Sequence, residues 1–429
     1  ALTGNALALD EIRIGTIGPT TGWATIFGQG CLNGIKLALG EYNNEFNGVP
    51  IKVFSEDTKA DVEVMRTKLD TLKTRDNVHL IIGPSLGHEG MAAVDWGARN
   101  PEVPMLIGYS APEDITMRKA TDSVIRPGWT GAQVIFNFGQ YCAKDLGYKK
   151  IIIVGQDYSY PWDQAAGFIR GFLENGGEKV ERIWHPVEAV DFSSIMAKLM
   201  NMSKEYDAVL NNSGGAQVVG FFKQWKQFGL DKVYPQILGQ ANVPIVSMLS
   251  ELGDSALGVY SSLHYYDGNP SEANRKFRES FKKKYGHYPD VIAVQGYDAV
   301  HVAFKAMKAI NGQVDDPKKF IAALRQVKMS VDESPRGPFY FDKYANPVQN
   351  IYIKKVVKKD GRLMNEAVKT YEEVSQFGPY ADMADKYMAA PATTRDYPPG
   401  DKTSYFKEIE KYFGKDYVEK LKKNNGWVD

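Results

Sequence analysis

The chain has 429 residues, of which 43% are hydrophobic, 12% aromatic and 24% charged. This is the composition of a folded protein of more than one domain, and the aromatic content excludes a disordered one. Lys plus Arg and Asp plus Glu are 52 each, so the formal net charge is zero, which argues against a nucleic-acid groove or a polybasic membrane anchor. Apolar runs such as Ile151–Val154 fall far short of the ~20 residues that span a bilayer.

Strand and helix patterns alternate from the start. Ile12–Pro19 is an apolar, β-branched run closed by Gly-Pro, and Phe27–Tyr42 follows with helical spacing. Residues 51–57 read as the next strand, 61–72 as a helix with Val62, Met65, Leu69 and Leu72 on one side, and 78–83 as strand three. A helix at 90–99 leads to a fourth strand at 103–108. Nearly continuous apolar strands separated by helices indicate a parallel sheet covered on both faces. The rhythm restarts with a helix at 131–146. It continues through strands at 149–157, 179–187, 206–211 and 233–239, with helices at 162–175, 191–202 and 216–228 between them. Two βαβ assemblies of similar size predict two similarly built lobes. A strand at 258–266 is followed by helices over 271–285, 290–310 and 317–327, then by hairpin strands at 337–342 and 348–357. From Glu366 the periodicity fades. Residues 391–399 read as a linker and 404–423 as a charged amphipathic helix, a tail too poor in apolar residues for its own core and expected to pack on the outside.

Gly83-Pro-Ser-Leu-Gly87 fits G-x-S-x-G between a strand and a helix, where a nucleophile elbow belongs. His264, His287 and His301 follow it in order, so an esterase-like hydrolase using Ser85 is one reading. The pattern is short and no HGGG-like oxyanion segment precedes it, so a tight turn facing a ligand or the core competes. His79, His88, His185, His264, His287 and His301 form no H-x-x-x-H or Cys/His cluster, and no metal is expected. There is no P-loop, and Gly15-Thr-Ile-Gly18 lacks the third glycine of a dinucleotide fingerprint, so no cofactor is expected. Cys31 and Cys142 are too few for a disulfide framework, and free buried thiols are the simpler expectation. The start Ala1-Leu-Thr-Gly-Asn carries neither Met nor a basic region, which suggests a processed or recombinant terminus. Trp23, Phe27, Tyr109, Tyr158, Tyr160 and Trp162 all read as loop residues just after strands, which favours a ligand with a flat apolar body.

The opening IRIGTIGPTTGWATIFGQGCLNGIKLALGEYN resembles the first strand and helix of the type I periplasmic solute-binding proteins, in the branched-chain amino-acid-binding branch. IIGPS (81–85), VPMLIGYSAPEDIT (103–116), IIIVGQDYSYPWDQAAGF (151–168), LGQANV (238–243) and VQGYDAVHVAFKAM (294–307) match in order, so the resemblance covers residues 11–365. The tail 366–429 exceeds the usual length of the family.

The resemblance implies an α/β protein of two doubly wound parallel-sheet lobes joined by a three-segment hinge. Lobe 1 would take 11–127 and 257–336, lobe 2 would take 128–256 and 337–365, and 366–429 would be a C-terminal extension. It implies a periplasmic receptor without catalytic residues, metal or cofactor. Such a receptor captures a small molecule between the lobes by hinge closure and delivers it to the membrane permease of an ABC transporter. Residue by residue, it places Trp23 and Phe27 beside the ligand after strand one. Gly87 and His88 stand where the family has a serine-rich, carboxylate-binding stretch. Tyr109 and Ser110 follow strand four, with Ser110 as a carboxylate partner. In lobe 2, Tyr160 takes the aromatic lid position with Tyr158 nearby, and Asn211 and Ser213 lie at the next strand end. Gln240 stands near the acid that receives an amino acid's ammonium in the family, and Gln240-Ala-Asn242 contains no carboxylate. A buried ammonium without a counter-charge costs several kcal/mol. An aromatic or alicyclic carboxylate is therefore the expected ligand. An amino acid or an amide is the alternative, with Asp157 or Glu113 as a substitute acid.

Overall fold

The strand–helix alternation folds into two units in a computed structural model that describes residues 9–234 and 236–425. Unit 1 runs to Trp129 and includes Lys276–Pro347; unit 2 takes Thr130–Arg275 and the chain from Val348.

Unit 1 opens with β1 (Ile12–Gly18), α1 (Thr25–Glu41), β2 (Glu45–Phe46), β3 (Val49–Asp57) and α2 (Val62–Thr74). It goes on through β4 (Leu80–Ile82), α3 (Gly87–Arg99), β5 (Met105–Leu106) and β6 (Val124–Ile125). Asp61 starts α2 by accepting the amides of Glu63 and Val64 on its carboxylate. The strand order is β2-β3-β1-β4-β5-β6, parallel apart from the short β2–β3 pair. Ile17, Ile81, Met105 and Ile107 of the sheet region pack on Met65, Leu69 and Leu72 of α2 and on Ala93 and Trp96 of α3. The order reverses at β1, which lies between β3 and β4. In an open α/β sheet, the space beyond the carboxyl ends at such a switch point is where ligands bind.

Unit 2 repeats the plan with α4 (Gln133–Lys144), β7 (Lys150–Gln156), α5 (Ser159–Leu173), β8 (Lys179–His185) and α6 (Ser193–Met202). Then come β9 (Ala208–Asn212), α7 (Ala216–Gln227), β10 (Ile237–Gly239), α8 (Val246–Leu252) and β11 (Tyr260–Leu263). Its parallel order is β11-β10-β9-β7-β8, with the switch point between β7 and β9. After α9 (Glu272–Tyr285) the chain is back in unit 1 with α10 (Val291–Ala309), α11 (Pro317–Arg325), β12 (Lys328–Met329) and β13 (Phe339–Phe341). Unit 2 is completed by β14 (Pro347–Lys359), β15 (Arg362–Val374), α12 (Ala384–Ala389), α13 (Lys402–Phe413) and α14 (Lys415–Asn424).

One helix pair in each unit packs backbone to backbone through glycines. In unit 1, a Cβ on Gly34 of α1 would stand 2.0 Å from the Ala293 carbonyl oxygen of α10. In unit 2, a Cβ on Gly171 of α5 would stand 1.9 Å from the Phe136 carbonyl oxygen of α4.

Three expected boundaries move. Residues 257–275 stay in unit 2, because β11 pairs with β10 and with β14. Residues 337–347 stay in unit 1, where β13 pairs with β12. The tail does not begin at 366: β15 runs on to Val374 as the antiparallel partner of β14. Nor does the rest of the tail lie only on the outside, for it buries Tyr380, Tyr387, Tyr405, Phe406, Ile409 and Phe413 in unit 2. Rings spaced along charged helices supply apolar area that a count of charges conceals.

Cys31 and Cys142 are free and buried. Burial pushes the Cys31 thiol up to about 12, which keeps it from acting as a thiolate.

Lys354 of β14 is only 1% exposed, and its ammonium reaches the Pro244 carbonyl oxygen at a long 3.4 Å. Desolvation by burial pulls its pKa down to about 8, against the attraction of Asp267. Between that value and the ordinary lysine value the unfolded chain holds a proton that the folded chain has released. Stability contributed by this site therefore rises with pH across that window. Lys354→Met is expected to remove that rise, a difference of about 3 kcal/mol between the two ends of the window. Chemical denaturation of both proteins at several pH values measures it.

Candidate functional site

In unit 1 the loops after β1, β4 and β5 meet the switch point. Trp23, in the loop after β1, is 75% exposed. Phe27 lies in the first turn of α1 and not in a loop, since that helix starts at Thr25. Its ring centroid is 5.6 Å from that of Tyr109, which meets Trp129 edge-on at 5.0 Å. Phe27, Tyr109 and Trp129 thus form one aromatic row. Trp129 escaped notice in the sequence because it follows no apolar strand of ordinary length; Arg126-Pro-Gly before it is the signal of a chain crossover.

Helix α3 starts at Gly87, three residues before the expected start, so Gly87 and His88 are its first two residues. First-turn amides have no acceptor inside their own helix and, with the helix dipole, attract anions. The His88 side chain is exposed, with Nε2 3.3 Å from the Ala60 carbonyl oxygen. His88 has its backbone amide among the first-turn N–H groups of α3. Ser110 is 1% exposed, and its hydroxyl has no hydrogen-bond partner. A Cβ on Gly90, in the second turn of α3, would stand 2.0 Å from that oxygen. The Ser110 hydroxyl thus lies against α3 at Gly90, one turn along from Gly87 and His88. Glu89, also missed in the sequence, is fully buried beside them and accepts the Leu86 amide at 3.4 Å. Burial raises its pKa, and the Thr58 hydroxyl opposes that shift.

Ser85 is buried at the turn between β4 and α3. Its nucleophile reading needs an imidazole. The four histidines of unit 1, His79, His88, His287 and His301, bond instead to the Arg13 amide, the Ala60 and Tyr288 carbonyls and the Tyr42 hydroxyl.

In unit 2 the loops after β7, β9 and β10 carry the remaining candidates. Helix α5 starts at Ser159, so Tyr160 and Trp162 are helical and not loop residues. Pro161 fits there because a first-turn residue needs no N–H. Tyr158 caps the helix and is 38% exposed. The Tyr160 hydroxyl accepts Asn242 Nδ2 at 2.9 Å. Asn211, Ser213 and Gln240 are all buried. The Ser213 hydroxyl is 2.8 Å from His185 Nε2, and His185 Nδ1 is 2.8 Å from the Pro186 carbonyl oxygen. Burial lowers the His185 pKa and keeps the ring neutral. Its one proton then points to Pro186, and Ser213 donates to Nε2. Gln240 donates to the Ser213 carbonyl at 3.1 Å and accepts the Asn242 amide at 2.7 Å. Ser213 and Gln240 thus brace one another inside unit 2, while buried Asn211 Nδ2 has no partner. Asn242, of the LGQANV stretch, and His185, which no sequence motif announces, complete this network.

Among the described residues, no group of His, Cys, Asp and Glu could hold a metal ion, and no helix is long and apolar enough to cross a membrane. Residues 11–362 match the periplasmic binding protein family. The chain belongs to that family. Within it, this periplasmic binding protein is of type I, in the branched-chain amino-acid-binding group. It is 29% identical over 378 residues to Leu/Ile/Val-binding protein homolog 6 of Brucella melitensis, covering 87% of this chain and 95% of the relative. Among solved structures it is similar to an ABC transporter substrate-binding protein from Sphaerobacter thermophilus, with TM-score 0.81, 27% identity, and coverage of 85% of this chain and 99% of that one. A solute-binding protein of an ABC transporter from Rhodopseudomonas palustris BisB5, in complex with 3,4-dihydroxybenzoic acid, gives TM-score 0.78 and 31% identity over 86% of this chain and 99% of that one. This periplasmic binding protein is thus a solute-binding component of the ABC-transporter kind, with a small-molecule ligand and a membrane permease as partners.

Proposed function

We propose that this protein is an extracytoplasmic receptor for an aromatic carboxylate, which it binds without chemical change, closes over by a hinge motion and passes to its permease. The observation that carries the reading is the buried Ser110 hydroxyl, which has no partner and stands beside the first turns of α3. A buried hydroxyl left unpaired costs free energy, and a carboxylate is the acceptor that would satisfy it together with the Gly87 and His88 amides. The row of Phe27, Tyr109 and Trp129 is suited to the flat body of the ligand, with exposed Trp23 of the preceding loop as a further contact. Tyr158, Tyr160 and Asn211 are the contacts we assign to unit 2, with Ser213 and Gln240 holding that rim in shape. The Rhodopseudomonas relative, solved with a dihydroxybenzoic acid, supports the same ligand class.

A second reading, an amino-acid ligand, draws on the Brucella relatives and on Glu89, whose Oε1 is buried without a partner in unit 1. Removal of Ser110 tests the carboxylate contact itself. Ser110→Ala is expected to weaken 4-hydroxybenzoate binding by about 10-fold or more, the worth of one hydrogen bond to a charged group. Isothermal titration of wild type and variant measures it, and unchanged affinity would count against Ser110 as a ligand contact.

A further inference from the structure

The family match ends at residue 362, yet the chain beyond β15 is folded into unit 2. It is fastened at both ends. Tyr380 and Tyr405 donate to buried Glu174 just after α5, and Tyr417 Oη is 3.2 Å from the other carboxylate oxygen. Farther along, the β8 amide of Val180 donates to the Gly400 carbonyl at 2.7 Å, and Arg182 donates to the Asp396 carbonyl at 2.9 Å. Lys179 and Asp401 form an antiparallel bridge. Between these anchors the Tyr397 amide donates to Thr394 Oγ1 at 3.2 Å and closes a turn. Arg395 projects from that turn to the carboxyl end of β7, where its Nε is 3.2 Å from Asp157 Oδ2. The other Asp157 oxygen takes the Trp162 indole N–H at 3.0 Å. Asp157 immediately precedes Tyr158, the cap of α5.

We propose that the C-terminal extension sets the charge selectivity of the site, by placing Arg395 to neutralise Asp157 at the rim of unit 2. With its charge cancelled, Asp157 neither repels an anionic ligand nor offers a counter-ion to an ammonium. Without the extension, the Asp157 carboxylate would stand uncompensated there. The inference rests on the carboxylate reading above. Arg395 and Asp157 are 52% and 35% exposed, so the pair works through a screened field and the effect is severalfold rather than larger.

The test is calorimetric titration of 4-hydroxybenzoate into wild type, R395Q, D157N and the double variant, at low and high salt. R395Q is expected to bind about threefold more weakly at low salt, with the difference shrinking at high salt. D157N, which leaves Arg395 as an unpaired cation, is expected to bind more tightly than wild type at low salt, and the double variant, like wild type without net charge there, to return to the wild-type level. A double variant as weak as R395Q would show lost packing rather than lost charge and would overturn the proposal. So would an R395Q indistinguishable from a wild type that does bind. A wild type that binds no aromatic acid overturns the ligand reading and this inference together.

Discussion

Gly34→Ala is expected to destabilise unit 1 by more than about 3 kcal/mol, although alanine is the better helix former. The added methyl would sit 2.0 Å from the Ala293 carbonyl oxygen and 2.9 Å from the Tyr297 amide nitrogen, both backbone atoms of α10. Backbone inside a packed helix cannot swing aside as a side chain can, so the two helices must separate. Gly296 on α10 makes the reciprocal approach to the Cys31 carbonyl, so the strain has no free side to relax into. Gly40 supplies the control on the same helix: its nearest neighbour would be the Lys284 ammonium at 3.9 Å. Gly40→Ala is expected to be neutral or to stabilise by roughly 0.5–1 kcal/mol through helix propensity. Thermal and denaturant unfolding of the two variants decides the matter. A Gly34→Ala protein as stable as wild type would mean that α1 and α10 are not in backbone contact.

Glu174→Ala is expected to release the C-terminal extension. The side chain is buried and accepts hydrogen bonds from three tyrosines of the extension, while its carbonyl accepts Asn425 Nδ2 at 2.8 Å. Truncation leaves Tyr380 and Tyr405 fully buried without their acceptor, at about 1–3 kcal/mol for each orphaned group. The expected loss is on the order of 3–5 kcal/mol in stability. Limited proteolysis should then cut beyond β15 at protease levels that leave wild type intact. Glu174→Gln keeps one acceptor oxygen and should fall between the two. An extension that stays protected in Glu174→Ala would assign its docking to ring packing alone, through contacts such as Tyr380 on Phe413 at 4.6 Å.

The reasons for what could and could not be read from the sequence differ by element. The sheet strands β1, β7 and β9 are legible because burial on both faces demands unbroken apolar runs. The switch-point loops follow from their order, and with them Tyr109 and Ser110, whereas Phe27 and Tyr160 fall in the first turns of α1 and α5. β15 was not legible: it carries charged residues such as Glu366 and Lys369, half-buried, and Glu373, exposed, and its own bulges against β14 break the two-residue alternation. The early start of α5 was hidden by Pro161, which usually marks a boundary but is tolerated in a first turn. The docking of the tail was hidden because Glu174 and its tyrosines lie more than 200 residues apart in sequence. For the same reason the pairing of Asp157 with Arg395 has no local signature. The free state of the Ser110 hydroxyl likewise depends on space left by Gly90, a packing fact and not a motif.

The most direct measurement is calorimetric titration of the wild-type protein with 4-hydroxybenzoate and, in parallel, with leucine. Saturable binding of the aromatic acid, at one site per chain and much tighter than that of leucine, is the predicted result. Saturable leucine binding with no heat from any aromatic acid would contradict it.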